Sequence, residues 1–230
     1  MKKIAISQSN YIPWKGYFDL INKVDEFIIY DEAQYTRRDW RNRNKIKTPN
    51  GLQWLTIPVD VKGKYFQKIN ETKISEKNWG VKHWQQIKQN YVKAKNFKKY
   101  KDLFEELYLN CEEVYLSKIN YKFIITINQI FGIRTKIKFS DEFEIYGNQT
   151  EKLLNICKQC EAQVYVSGPA AKNYFDEQLA KQENIHIEWM NYKNYEEYDQ
   201  LFSSFEHKVS VLDLLFNTDL ISYIKNNFKK

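Results

Sequence analysis

Two periods of apolar and polar positions run through this chain, and the changes from one to the other mark its elements. Ile4–Ser7 is a short apolar run, Lys15–Val24 places apolar residues at helical spacing, and Phe27–Tyr30 is a second apolar run that ends in Asp31 and Glu32. With the polar and aromatic loop Gln8–Trp14 between the first two, the order predicts a strand, helix and strand unit. Thr36–Lys47 is too irregular for an amphipathic helix and reads as a loop or twisted edge. The Asn50-Gly51 turn between Lys45–Lys47 and Leu52–Val59 predicts a β-hairpin. A short strand is expected near Lys68–Asn70.

From Trp79 the period becomes helical, with Val81, Trp84, Ile87, Tyr91 and Ala94 on one stripe. Two more helices are expected at Asn96–Leu109 and Leu116–Phe131, the last stopped by Gly132. The three form a helical insertion over about 79–132. The α/β rhythm then resumes: strand Thr135–Phe139, helix Gln149–Cys160, strand Ala162–Ser167, helix Ala170–Leu179 and strand Ile185–Trp189, followed by helices at Ser210–Phe216 and Asp219–Phe228. Alternation of this kind predicts an α/β fold, a Rossmann-like parallel sheet with a β-hairpin and a helical insertion. No repeat or Pro/Gly/Ser-rich linker divides residues 1–230, so a single domain is expected.

Composition adds an uneven charge. Residues 1–100 carry 21 Lys and Arg against 9 Asp and Glu, net +12, while the remainder is net −5. A basic half fits an anionic partner such as a nucleotide phosphate, and equally a lysine-rich solvated surface. With 17 Tyr, 14 Phe and 6 Trp the chain is able to line a pocket with rings that stack planar or sugar groups. No apolar run is long enough for a membrane span, no signal peptide is recognisable, and three cysteines form no disulfide framework, so a cytoplasmic location is expected.

Ligands of open parallel sheets sit beyond the carboxyl ends of the strands. The loop after the first strand and the end of the second should therefore meet at one crevice. Gln8, Asn10, Tyr11 and Trp14 are the expected pocket residues, with Tyr17 and Gln34 beside them. Asn42, Arg43, Asn44 and Lys47 are candidates for phosphate contact, since guanidinium matches phosphate geometry. Ser167-Gly168-Pro169 follows a strand and opens a helix, a natural anion site with Lys172 one turn along. His83 is the candidate general base and Asp31 the second candidate proton carrier. Each has a structural alternative: a solvated arginine loop, a capped helix start, a buried histidine, a turn-forming aspartate. Cys157 and Cys160 have C-x-x-C spacing inside a helix without further ligands nearby, so no metal is expected, and no cofactor is specified.

The segments IAISQSNYIPWKGYFDLI, DEAQYTRRDWRNRNKIKTPNGLQWLTIPV, KHWQQIKQNY, YVSGPAAKNYF and SVLDLLFN, in this order over essentially the whole chain, resemble the WbqC-like protein family. The resemblance implies a place in surface-polysaccharide (O-antigen, lipopolysaccharide) biosynthesis, and a pathway more than a reaction. The family opening commonly reads His-Gln-Pro-Asn-Tyr, whereas Ser7 and Ser9 stand here for the His and the Pro, so a role resting on that histidine does not carry over. The element order is also similar to the opening of the HIGH-type nucleotidyltransferase α/β superfamily, with Trp14-Lys15-Gly16-Tyr17 at the motif and both histidines replaced by aromatics. Nucleotide binding is then expected without that superfamily's transfer chemistry.

Together these readings point to a cytoplasmic transferase that moves an acyl or aminoacyl group onto a nucleotide-linked amino sugar. The alternative is a non-catalytic protein binding a nucleotide, a nucleic acid or a partner. A phosphorylated small molecule is expected ahead of nucleic acid as ligand, and the sequence leaves the oligomeric state open.

Overall fold

Strand residues here alternate between two buried faces. In β1 (Lys3–Ser7) Ile4 and Ile6 face one side and Ala5 the other; in β2 (Glu26–Ile29) Phe27 and Ile29 are opposed to Ile28. A sheet buried on both faces needs helices on both, which is the α/β solution. The computed structural model describes residues 1–202 and 204–228.

Five strands pair in parallel. With β5 (Lys136–Phe139), β6 (Val164–Ser167) and β7 (His186–Trp189), the spatial order is β5-β2-β1-β6-β7, with Ile4 opposite both Glu26 and Tyr165. Helix α1 (Lys15–Asn22) packs Phe18 and Ile21 on the face of Ala5 and Phe27. The hairpin of β3 (Arg43–Thr48) and β4 (Gly51–Thr56) forms a separate two-stranded antiparallel sheet. Its turn needs Gly51, at φ +98°.

Helices α2 (Trp79–Tyr91), α3 (Phe97–Leu109) and α4 (Leu116–Phe131) follow as expected, α4 ending on Gly132 in the left-handed conformation. Their rings join the same core: Trp84 stacks on Phe97 with centroids 5.9 Å apart, and Tyr108 meets Phe123 at 4.8 Å. Helix α5 (Gln149–Gln159) and α6 (Glu177–Gln182) cover the opposite face with Leu153, Leu154, Ile156 and Ala180. Both thiols of the C-x-x-C pair are buried in this second core, and burial pushes Cys160 up to about 11. The chain closes with α7 (Val211–Asn217) and α8 (Leu220–Asn227).

Two local expectations are corrected. The helix expected at Ala170–Leu179 is a 3₁₀ turn, Pro169–Asn173, then α6, because Asp176 folds its carboxylate onto the Gln178 and Leu179 N–H groups and starts a new helix. The strand expected near Lys68 is a lone bridge from Gln34 to Lys68, followed by a 3₁₀ turn at Ile69–Glu71. Among the described residues no helix is long and apolar enough to cross a membrane.

Candidate functional site

The connection from β1 to β2 leaves with α1 on one face, and those through α5 and α6 run on the other. Neighbouring strands β1 and β6 thus flank a switch point, and beyond their carboxyl ends lies a crevice of about 660 Å³. Gln8, Asn10, Trp14, Tyr17 and Gln34 line it from one side, Ser167 and Gly168 from the other. These seven expected residues are brought together.

The loop after β1 is held in place from several directions. Tyr11 N–H donates to Trp40 O at 3.0 Å, Asn44 Nδ2 donates to the carbonyls of Tyr11 and Ile12 at 3.2 and 2.9 Å, and Val211 N–H donates to Pro13 O at 3.0 Å. Ile12 sits at φ +37°, a strained value for a β-branched residue that persists only because its surroundings over-determine it. The loop is thereby preorganised, with the Asn10 and Trp14 side chains turned to the crevice.

Several residues at the crevice were not among the expected ones. Arg41 donates through Nη1 to Asn10 Oδ1 and pairs with Asp39 at 3.6 Å; burial lowers its pKa, opposed by Asp39, Tyr17 and Asp31. Lys152 comes from α5 and Glu32 from the end of β2. Tyr30, Tyr165, Tyr174 and Tyr192 add rings, and Trp14 meets Tyr192 edge-on at 5.1 Å. The wall is therefore amides and rings, with two cations and one carboxylate.

The turn that follows β2 separates the two adjacent carboxylates. Tyr30 and Glu32 face the crevice, whereas Ile29 and Asp31 face a second cavity with Ser117 and Lys73. Asp31 is 2% exposed and accepts from Ser9 N–H at 2.8 Å, Ser9 Oγ at 2.7 Å and Ser117 Oγ. Burial raises its pKa, opposed by those hydrogen bonds. Its carboxylate fastens the β1 loop to α4.

Other expected residues lie elsewhere for identifiable reasons. Tyr11 is fully buried and its hydroxyl bonds His83 Nδ1 at 2.8 Å and Tyr108 at 3.0 Å. His83 Nε2 is 3.1 Å from Thr56 O, so both ring nitrogens serve the fold, and burial lowers the ring's pKa to about 4. Both nitrogens that a general base would use are hydrogen-bonded within the fold, and His83 does not line the crevice. Asn42 donates to Ile57 O, and Arg43 stacks its guanidinium 4.0 Å from the Trp54 centroid. Lys47 donates to Gln200 and to the carbonyls of Phe202 and Ser204, fastening the C-terminal segment to the hairpin. Lys172 turns back over Trp189, and the 3₁₀ turn after Gly168 is too short to gather a helix dipole.

A preorganised crevice at a sheet switch point, walled by amides, rings and three charges, lies at the strand ends of this α/β protein. The chain belongs to the WbqC-like protein family, whose family model matches residues 8–222. It is 49% identical over 217 residues, 94% of each chain, to "Uncharacterized protein Rv1507c" of Mycobacterium tuberculosis (strain ATCC 25618 / H37Rv). No solved structure matches it.

Proposed function

We propose that the crevice binds a nucleotide-linked amino sugar and that the chain is a transferase adding an acyl or aminoacyl group to it. The observation that carries this reading is the grouping of Glu32, Arg41 and Lys152 with the Gln8, Asn10 and Gln34 amides in one preorganised crevice. Side-chain amides and a carboxylate match sugar hydroxyls and an amine, aromatic walls match the apolar faces of a sugar ring, and Arg41 and Lys152 match phosphate. The place in surface-glycan assembly rests on what family membership implies.

In this reading Glu32 is the base. It takes one proton from the sugar ammonium and passes it to water, and the freed amine attacks the acyl carbon to form the C–N bond. Glu32 then takes the second proton from that nitrogen, and the bond from the acyl carbon to the leaving group breaks as Glu32 delivers this proton to the departing group. The donor is an activated acyl compound, and Asn10 and Arg41 hold the acceptor in register. The test is turnover of a nucleotide-linked amino sugar with a panel of acyl donors: Glu32→Gln is expected to bind the acceptor within severalfold of wild type and to lose turnover. Full turnover by that variant removes Glu32 from the mechanism.

A second reading is binding without catalysis, favoured by the 3.6 Å contact of Lys68 Nζ with one oxygen of the Glu32 carboxylate. Saturable acceptor binding with no turnover by any donor would select it.

A further inference from the structure

A smaller cavity of about 330 Å³ opens beside the crevice and shares Asn10 and Trp14 with it. Its other walls are Pro13, Trp40, Asn44 and Lys208. Trp40 is 39% exposed and Trp54 38%, and the two indoles lie 5.3 Å apart at 39° on the hairpin side of the cavity. Arg43 and Lys45 stand over the Trp54 ring at 4.0 and 5.0 Å from its centroid. Two adjacent, partly exposed indoles leave apolar area in water outside the buried core.

We propose that this cavity is the nucleobase subsite of the ligand whose sugar lies in the crevice, an inference that rests on the nucleotide-sugar reading above. Trp14 and Trp40 both line the cavity, and an indole face offers stacking to any base. Arg43, Lys45 and Lys208 give the neighbourhood a positive field that suits a nucleotide, whereas an alkyl chain gains nothing from it. Asn10 and Trp14, common to both spaces, put the diphosphate link at the junction, where Arg41 Nη1 already bonds Asn10 Oδ1. The subsite is built before ligand arrives. Trp40 O takes the Tyr11 N–H, and Asn44 spends its Nδ2 on Tyr11 O and Ile12 O, locking the strained Ile12 that sets the loop's path. Rigid walls of this kind reduce the ordering cost of binding.

The experiment is calorimetric titration of wild type, Trp40→Ala and Trp40→Phe with three probes: a nucleoside diphosphate, the matching nucleotide sugar, and the sugar 1-phosphate, which lacks a base. Trp40→Ala is expected to weaken the first two by roughly tenfold or more and to leave the third unchanged, with Trp40→Phe recovering most of the loss. Equal affinity of wild type and Trp40→Ala for the nucleoside diphosphate, or an equal loss on the sugar 1-phosphate, overturns the subsite. Tighter binding of a single-stranded oligonucleotide than of the nucleoside diphosphate, with affinity falling steeply in salt, also overturns it in favour of strand recognition. If the nucleotide sugar fails to bind wild type while the nucleoside diphosphate binds in a Trp40-dependent way, the acceptor assignment falls and the base subsite stands.

Discussion

A Cβ at Gly16 would stand 2.4 Å from Cζ2 of Trp14, so the indole that lines both cavities lies directly against the start of α1. Only a glycine allows that approach. Gly16→Ala raises helix propensity by about 0.5–1 kcal/mol yet forces the indole away. The variant is expected to fold, to change its near-ultraviolet circular dichroism, and to bind nucleotide sugar roughly tenfold more weakly, as a misplaced stacking wall does. Unchanged affinity would show that Trp14 contributes no contact to the ligand.

Arg41 joins the basic hairpin entrance to Asn10 in the β1 loop. Arg41→Met keeps most of the stem and removes the charge-assisted hydrogen bonds, which are worth about 1.5–3 kcal/mol each. The expected result is at least a tenfold loss of affinity for phosphorylated ligands, with the loss smaller at high salt. A salt-independent loss of the same size would point to loop rearrangement instead.

His83 is expected to act through stability. Its folded value of about 4 lies below the ordinary 6.5, chiefly because of burial. Between these values the unfolded chain binds the proton and the folded chain does not, so this residue's contribution to stability is lost as pH falls through about 6.5 to 4. Asp19, raised by burial to about 6, works in the opposite direction over an overlapping range, which is why the comparison is made between wild type and His83→Gln, where the Asp19 contribution is shared. The variant should lose less stability on acidification and be about 1–3 kcal/mol less stable at pH 7, from the polar groups it leaves unpaired. Turnover per folded molecule should persist; its abolition would return His83 to the chemistry.

Lys15 carries a second pH signature. Its ammonium is caged by the rings of Tyr195, Tyr198, Phe205 and Tyr223, each centroid 5.2–5.4 Å away, and lies 3.2 Å from His207 Nδ1. Burial lowers its pKa from 10.5 to about 8, with Asp213 and Glu197 pulling the other way. From pH 8 to 10.5 the unfolded chain holds the proton that the folded chain has released, so stability rises with pH across that window. Denaturant unfolding of Lys15→Met should lack this rise; an identical pH profile in the two proteins would contradict the assignment.

The frame of the fold was legible because local signals agreed with tertiary ones. The β1–α1–β2 unit, the hairpin at Asn50-Gly51 and the stop at Gly132 each combine a period with a turn residue. The break at Asp176 was hidden because the apolar spacing across it suits one continuous helix, and a cap of this kind is visible only once Phe175 is buried beneath it. For the site, which side of the sheet end a residue faces is the hard part. Asp31 and Glu32 are neighbours of equal chemistry, and the turn after β2 sends them to different cavities. His83, Arg43 and Lys47 look like site residues by type, yet Thr56 claims the first, Trp54 across the hairpin the second, and Gln200, Phe202 and Ser204 the third. Lys152 and Tyr192 reach the crevice from positions with no motif at all.

In the proposed function a phosphorylated sugar ligand occupies the space between the ends of β1 and β6. Isothermal titration of nucleotide-linked amino sugars against wild type and Asn10→Ala tests it most directly. One saturable site per chain is expected in wild type, with at least a tenfold loss in the variant. No saturable binding of any such ligand, or equal affinity in both proteins, would contradict it.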